Sequence, residues 1–417
     1  MRYRIGCAVV LGVLCLAGCS RDDKAALPAT TQAGPPKTLK IVSDLSLEGS
    51  SAEQTKSIVR AIDLYLDQIG RIAGPFRIDY ENVEVDYNAG GFDDPCANNA
   101  EKYVADIRIV GVIGSFGSTC TKVELQIANP HSLVYVSPSN TAVGLTHEGP
   151  GSEPGEPGIH YPTGVRTYAR TVAPDDAQGR TGAGFMADAL GVTRAFVLDD
   201  RDSYGRGMAD AFVAAAPDYG IEIVGRRGWD ANASRYIELM QKVKASGADG
   251  IYVGGISDFN GDQVLRDKVE VLGDNDAVKV LVSDGFVWDP LFVEAGARTM
   301  EGVYGTTPTL DPEQITGAGR EFLDAYEAEY GKAAELYTAY GVAAAQALLD
   351  AIARSDGTRE DIAAKLLETD LPDGILGPTS FDANGDIVDP AFAVYRARAG
   401  EWELDQVARP SDLGRAP

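Results

Sequence analysis

At 417 residues the chain exceeds what one hydrophobic core usually serves, so two domains are expected. Its 44% apolar and 24% charged residues are ordinary for a soluble globular protein. The formal net charge of −25 excludes a nucleic-acid binder and leaves no polybasic face for anionic lipid.

Arg2 and Arg4 precede an apolar run over 5–17 that is too short to span a bilayer as a stable helix. The run ends in Leu16-Ala17-Gly18-Cys19, which resembles the lipobox of bacterial lipoproteins. That resemblance implies a signal peptide over 1–18, lipidation (palmitate included) of Cys19, and an exported chain anchored at the cell membrane, periplasmic or on the outer face. Removing 1–18 takes two arginines and no acid, leaving 35 minus 62, or −27. Residues 19–37, rich in Ala, Pro, Thr and Gly with no apolar period, read as a flexible tether. Cys7 and Cys15 leave with the signal, so Cys96 and Cys120 remain, and in an oxidising compartment two cysteines most often pair. The three histidines, His131, His147 and His160, show no ligand spacing, so no metal and no cofactor are expected.

From residue 39 the pattern alternates. Strands are expected over 39–45, 76–87, 107–113 and 133–137, with helices over 51–69, 94–106 and 121–129 between them. The Gly/Pro-dense stretch 147–163 reads as an irregular surface loop. The alternation then resumes with strands over 194–199, 221–225, 250–253 and 278–283, and helices over 182–190, 207–216, 234–245 and 262–272. Three helices follow, over 312–330, 335–355 and 358–369; Gln346 and Asp350 argue against the second as a membrane span. A strand pair over 391–398 and 401–405 turns on Ala399-Gly400, and 382–386, DANGD, lacks the rest of a calcium loop and reads as an Asn-Gly turn. The fold class is therefore α/β, two Rossmann-like lobes in series.

In open α/β sheets ligands bind beyond the carboxyl ends of the strands. In the first lobe those ends carry Gly117, Ser118 and the run 137–141, neutral and hydroxyl-rich, with a helix start offering free N–H groups to an anion. The glycines are followed by no Lys, so a phosphate loop is excluded and a small carboxylate is the expected anion. In the second lobe they carry Tyr204, 255–258 and 283–285, which supply carboxylates and a ring suited to an ammonium and an apolar body. Opposite preferences across a cleft describe a zwitterion site.

The stretches DDPC (93–96), IGSFGS (113–118), VSPSNTAVGLT (136–146), YART with DDAQG (168–179), LDDRDSYGRGMADAF (198–212), DGIYVGG (249–255) and GPTSFDANGD (377–386) together resemble the branched-chain amino-acid-binding proteins of ABC importers, the type I periplasmic binding fold. The resemblance spans about 38–405 and implies a three-strand hinge between lobe 1 (38–172 and 308–376) and lobe 2 (173–307 and 377–417). It implies that Ser118 binds the ligand carboxylate with backbone N–H groups at the helix start, Gly117 included. The Ser139 carbonyl and the Thr141 hydroxyl would take the ammonium, Tyr204 would form the aromatic wall, and Asp284 would stand where the family usually has a Glu. Ile256 occupies a position where a second aromatic is common, with Ser257 and Asp258 next, and Asp258 is the second candidate for the ammonium. The 147–163 loop is longer than in relatives and is expected near the cleft. The implied partners are an amino acid and a membrane ABC permease, for a monomer with a lipid anchor. The main alternative is a ligand-sensing domain that reports to a separate receptor. An enzyme is not expected, because the mature cysteines are expected to pair and none of the histidines follows a site strand.

Overall fold

A computed structural model describes residues 36–49, 51–84, 93–287, 291 and 295–409. Cys19, with its signal and most of the tether, lies outside the described residues, as do the last residues of the strand expected over 76–87.

The first sheet contains β1 (Thr38–Asp44), β2 (Ile72–Ala73), β3 (Phe76–Val83), β4 (Ile109–Gly114), β5 (Val134–Ser137) and β6 (Tyr168–Arg170), in the spatial order β2-β3-β1-β4-β5-β6. All its pairs are parallel except β2 with β3. The second contains β7 (Arg194–Asp199), β8 (Glu222–Gly228), β9 (Gly250–Gly254), β10 (Lys279–Val282), β11 (Tyr304–Thr307), β14 (Phe392–Arg398) and β15 (Glu401–Ala408), in the order β15-β14-β11-β10-β9-β7-β8. Its pairs are parallel except β11 with β14 and β14 with β15, so β14 runs against the other strands. A two-stranded ribbon joins β12 (Asp370–Leu371) to β13 (Thr379–Ser380).

Each large sheet is covered on both faces, which is why strands such as β4 and β9 are buried at every residue rather than alternating. In lobe 1, α1 (Ala52–Gln68) and α10 (Thr338–Ala353) pack on one face, with α2 (Asp93–Ala105) and α3 (Ser118–Ala128) on the other. Helices α9 (Ala318–Tyr330) and α11 (Arg359–Leu366) belong to the same lobe. In lobe 2, α4 (Asp175–Asp188) and α5 (Ser203–Ala215) cover one face, and α6 (Ile237–Ser246), α7 (Gly261–Leu272) and the single turn α8 (Ala297–Met300) the other. The chain crosses between lobes after β6, after β11 and before β14. No helix among the described residues is long and apolar enough to cross a membrane.

Several local readings change, among them the helix expected over 312–330, which starts at Ala318 after a 3-10 turn at Pro312–Gln314, and the helix expected over 207–216, which starts at Ser203. Ile107 is 84% exposed and outside β4, because Arg108 turns back onto Asp106 at 2.7 Å and the strand starts at Ile109. Helix α3 starts at Ser118, three residues earlier than expected, so Ser118 stands in its first turn. Helix α4 starts at Asp175 and runs through Gly179 and Gly182. A Cβ on Gly179 would sit 2.6 Å from the Ala211 Cβ, so the glycine that costs helix propensity is what lets α4 and α5 approach. Strands β6 and β11, only three and four residues long, were too short to show a period.

Candidate functional site

In each sheet the strand order reverses at the strand that comes first in sequence within the doubly wound part: β1 lies between β3 and β4, and β7 between β8 and β9. The loops after β4, β7 and β10 emerge at the carboxyl ends near these points, where open α/β sheets take ligands.

The lobe 1 half is a backbone seat held from below. Asn140 Nδ2 donates to the carbonyls of Ser115 (2.9 Å) and Phe116 (3.0 Å), and Ser139 Oγ donates to Phe116 (2.8 Å). Ser137 Oγ donates to the Ser115 carbonyl (3.1 Å), and Thr121 Oγ1 donates to Asn140 Oδ1 (2.6 Å). With these carbonyls turned inward, the first-turn N–H groups of α3 have no intrahelical acceptor. Ser118 Oγ accepts from the Ala142 N–H (3.3 Å), which leaves its own proton to donate. A Cβ on exposed Gly117 would meet nothing within 4 Å, so space for an anion is open beside the helix start.

The lobe 2 half is acidic. Asp284 opens a 3-10 turn just after β10, and its Oδ1 accepts from Gln178 Nε2 (3.0 Å) and from the Tyr204 hydroxyl. Its Oδ2 accepts from the Tyr337 hydroxyl (3.2 Å), and Tyr337 belongs to lobe 1. The Tyr337 ring packs edge-on against Phe116 at 5.7 Å, so Phe116, Tyr337 and Asp284 carry one contact chain across the cleft. Asp175, in the first turn of α4, supplies a second carboxyl. Its N–H donates to the Thr141 carbonyl (2.8 Å), and its Oδ1 is buried with no hydrogen-bond partner among the described residues.

Burial raises the Asp284 carboxyl above its ordinary range, against the hydrogen bonds from Tyr204 and Gln178. Burial, and then the charge of Asp284, push Asp175 up to about 7. Asp200 is pushed up to about 6 by burial, yet its role is structural. It accepts from the N–H groups of Asp202 (2.9 Å) and Ile256 (2.9 Å) and so ties the loop after β7 to the loop after β9. Ile256 is half-buried at that junction, and Asp258 is exposed. The second acid beside Asp284 is therefore Asp175 rather than Asp258. Two neighbouring carboxyls, each held towards its neutral form, form a site whose charge is best completed by a cation brought from outside.

The sequence reading missed Asp175, Gln178 and Tyr337. Asp175 and Gln178 were in a quoted motif, but without a helix start at 175 nothing aimed them at β10. Tyr337 was absorbed into an apolar helix pattern. Among the described residues no group of three or more His, Cys, Asp or Glu is placed to hold a metal. Cys96 and Cys120 are disulfide-bonded, with Cα atoms 5.3 Å apart, joining α2 to the first turn of α3. The DANGD stretch is a turn: Asp382 Oδ1 accepts from the N–H groups of Asn384 and Asp386 (2.8 and 3.0 Å).

A periplasmic binding protein family model matches residues 38–401. An amino acid binding protein of Pseudomonas aeruginosa is 25% identical over 308 residues, 73% of this chain and 74% of that protein. A Leu/Ile/Val/Thr-binding protein of Salmonella typhimurium is 25% identical over 391 residues, 87% of this chain and 97% of that protein. The crystal structure of a leucine-binding protein of Thermotoga maritima superposes with a TM-score of 0.74 at 22% identity, covering 90% of this chain and 99% of that one. The chain is a binding protein rather than an enzyme, of an exported, extracytoplasmic kind, and it belongs to the periplasmic binding protein family.

Proposed function

We propose that the chain is a lipid-anchored solute-binding subunit of an ABC importer that captures an amino acid, branched-chain or similarly small, by closing its two lobes. The observation that carries this reading is the Asp175–Asp284 pair, raised and, among the described residues, without a cation hydrogen-bonded to either carboxyl, opposite the hydroxyl and N–H seat at Ser118. The ligand carboxylate lies at Gly117 and Ser118 on the α3 start, with its ammonium between the Ser139 and Thr141 loop and Asp284. Tyr204, Tyr337 and Ile256 surround the side chain. Relatives named for leucine, isoleucine and valine support this class. An aromatic acid without an amine leaves both acids uncompensated and is disfavoured.

Lobe 2 contacts form only in the closed cleft, so the ligand binds that state better and shifts the hinge equilibrium. The hinge lies at the crossings after β6, after β11 and between Phe381 and Phe392. Cys19 carries the lipid, and the closed shape is what a membrane permease reads.

A thermal-shift panel of L-leucine, L-isoleucine, L-valine, L-threonine, benzoate and neutral amides tests the reading. A ligand at about a hundred times its Kd adds about 2.7 kcal/mol of stability. Branched-chain amino acids are expected to raise the melting temperature, and Asp284→Ala to abolish the shift while keeping the fold. A shift from benzoate or an amide but from no amino acid would sink the proposal. Radiolabelled palmitate incorporation that survives Cys19→Ala would remove the anchor.

A further inference from the structure

The 147–163 segment is built as more than a surface loop. Its root is in lobe 1. Glu156 is buried and takes Lys122 of α3 (2.7 Å), the ring of His160 (3.1 Å) and the N–H of Glu153 (2.9 Å). Burial acts to raise the Glu156 carboxyl, but His160 and Lys122 hold it down at about 2. A Cβ on Gly144 would lie 1.6 Å from Glu156 Oε2, so that glycine is required for Glu156 to seat. The Tyr161 hydroxyl donates to the Leu145 carbonyl (2.6 Å), and Arg166 lies 4.4 Å over the Tyr161 ring.

The other side of the segment meets the DANGD turn, whose Gly385 carbonyl accepts from the Arg170 N–H of β6 (2.9 Å), and it meets lobe 2 at α4 and α5. His147 Nε2 lies 2.9 Å from Asp176 in the first turn of α4, and Nδ1 lies 3.0 Å from Asp386 in the DANGD turn. Asp386 is also bound by the fully buried Arg170 (2.5 Å), which donates in turn to the Ala142 carbonyl (2.8 Å) and to Thr146 Oγ1 (2.5 Å). Further out, a Cβ on Gly151 would lie 2.8 Å from the Gly207 Cα, so two glycine backbones touch. Gly207 is one turn from Tyr204 on α5, which places this contact beside the cleft wall.

We propose that residues 147–163 are a strap, rooted in lobe 1, that fastens the closed cleft to α4 and α5 through His147 and Gly151 and thereby sets how long a ligand stays bound. The inference rests on the proposed function only in taking the cleft as the ligand site. His147 and Gly151 are positioning residues, outside the pocket. Two carboxylates on one imidazole require both nitrogens to donate, so the fastening is an imidazolium. The hydrogen bonds to Asp176 and Asp386 hold the His147 pKa up at about 9 against its burial. The charged groups facing the ring are Asp176 from α4, Asp386 from the turn, and Arg170 of β6 through Asp386. The strap is therefore fastened at neutral pH and releases as pH rises through about 9.

The test uses the ligand-free mature chain with fluorophores on exposed Gln68 of lobe 1 and Glu238 of lobe 2, reading the inter-lobe distance by energy transfer. Gly151→Val and His147→Ala are expected to lower the closed-to-open ratio at least tenfold at pH 7.5. The unsubstituted chain should reach the same ratio only above about pH 9, and Asp176→Asn should fall between. Unfolding midpoints of all variants report whether each folds; Asp176→Asn keeps its shape and remains informative if Gly151→Val does not. Equal distance distributions in His147→Ala, Asp176→Asn and the unsubstituted chain would overturn the strap. With L-leucine as probe, the same variants should release ligand at least tenfold faster. If leucine fails to bind the unsubstituted chain, the amino-acid reading falls while the ligand-free distances still decide the strap.

Discussion

Asp175 and Asp284 show how two ordinary acids become an interacting buried pair, the centre of the proposed site. Neither is unusual in sequence, and Asp284 was legible because an acid just after a buried strand lies at the sheet's carboxyl end. Asp175 comes near Asp284 only because α4 lays its first turns beside the turn after β10, where Gln178 bonds Asp284. The sign of its effect follows from the shift. An acid raised from 3.8 to about 7 leaves the folded state holding a proton that the unfolded chain has lost. Stability then falls as pH rises between those values, by a few kcal/mol at most at about 1.4 kcal/mol per pH unit. Asp175→Asn should raise the ligand-free melting temperature at pH 8, change it little at pH 4, and weaken amino-acid binding at least tenfold. An unchanged melting temperature at pH 8 would mean that the buried charge is already compensated. Calorimetry in buffers of different ionisation enthalpy should also show proton release when an amino acid binds near pH 7.

At the scale of elements, the seat depends on how α3 is held. The Cys96–Cys120 bond ties its first turn to α2 across a separation of 24 residues. Closing a loop of that size is worth about 3 kcal/mol in the chain-entropy model. Replacing both cysteines by serine should lower the urea-unfolding free energy by about that amount, with a smaller loss of ligand affinity. A stability loss below about 1 kcal/mol would place the constraint in the packing of α2 on α3 instead. The pairing was legible from two remaining cysteines and an export signal. The burial of α10 was legible too, but not the partner it packs against. Its Ala-rich run, which resembles a hydrophobic span in one dimension, is a buried helix, and a Cβ on Gly341 would lie 2.4 Å from Ile58 Cγ2 of α1. Gly341→Leu should therefore cost about 1–3 kcal/mol by overpacking, read as a lower midpoint in thermal unfolding.

For the whole molecule, charge and closure act together. Asp175 and Asp200, raised to about 7 and about 6, lose folded-state stability as pH climbs from about 4 to neutrality. His147, raised to about 9, contributes stability that is complete below 6.5 and lost as pH passes 9. Glu156 works at the other end: lowered to about 2, its contribution is present above 4.5 and lost on acidification. A formal charge of −25 adds self-repulsion that grows towards alkaline pH. The ligand-free melting temperature should therefore peak between about pH 4.5 and 6 and decline through pH 9 to 10. A maximum above pH 7 would contradict these assignments.

The alternation of apolar periods gave the two-lobed α/β build, the count of cysteines left after an expected signal peptide gave the cysteine pair, and the motif resemblance gave the family. Those properties follow from local chemistry: runs of β-branched residues, 3.6-residue faces and glycines at strand ends carry their meaning within a dozen residues. The positions of the hydroxyls at 118, 139 and 141 and of the acid at 284, each in the loop or first turn after a strand, were legible for the same reason. Only the tertiary structure decided which groups meet. Tyr337 reaches Asp284 across 53 residues of sequence, and Arg170 reaches Asp386 across 216. The choice of these partners depends on strand order and on the three crossings between lobes, which no local period encodes. The same holds for the strap: in sequence it is a Gly/Pro-rich loop, and two glycines that must touch across a cleft are recognisable only once the lobes are in place.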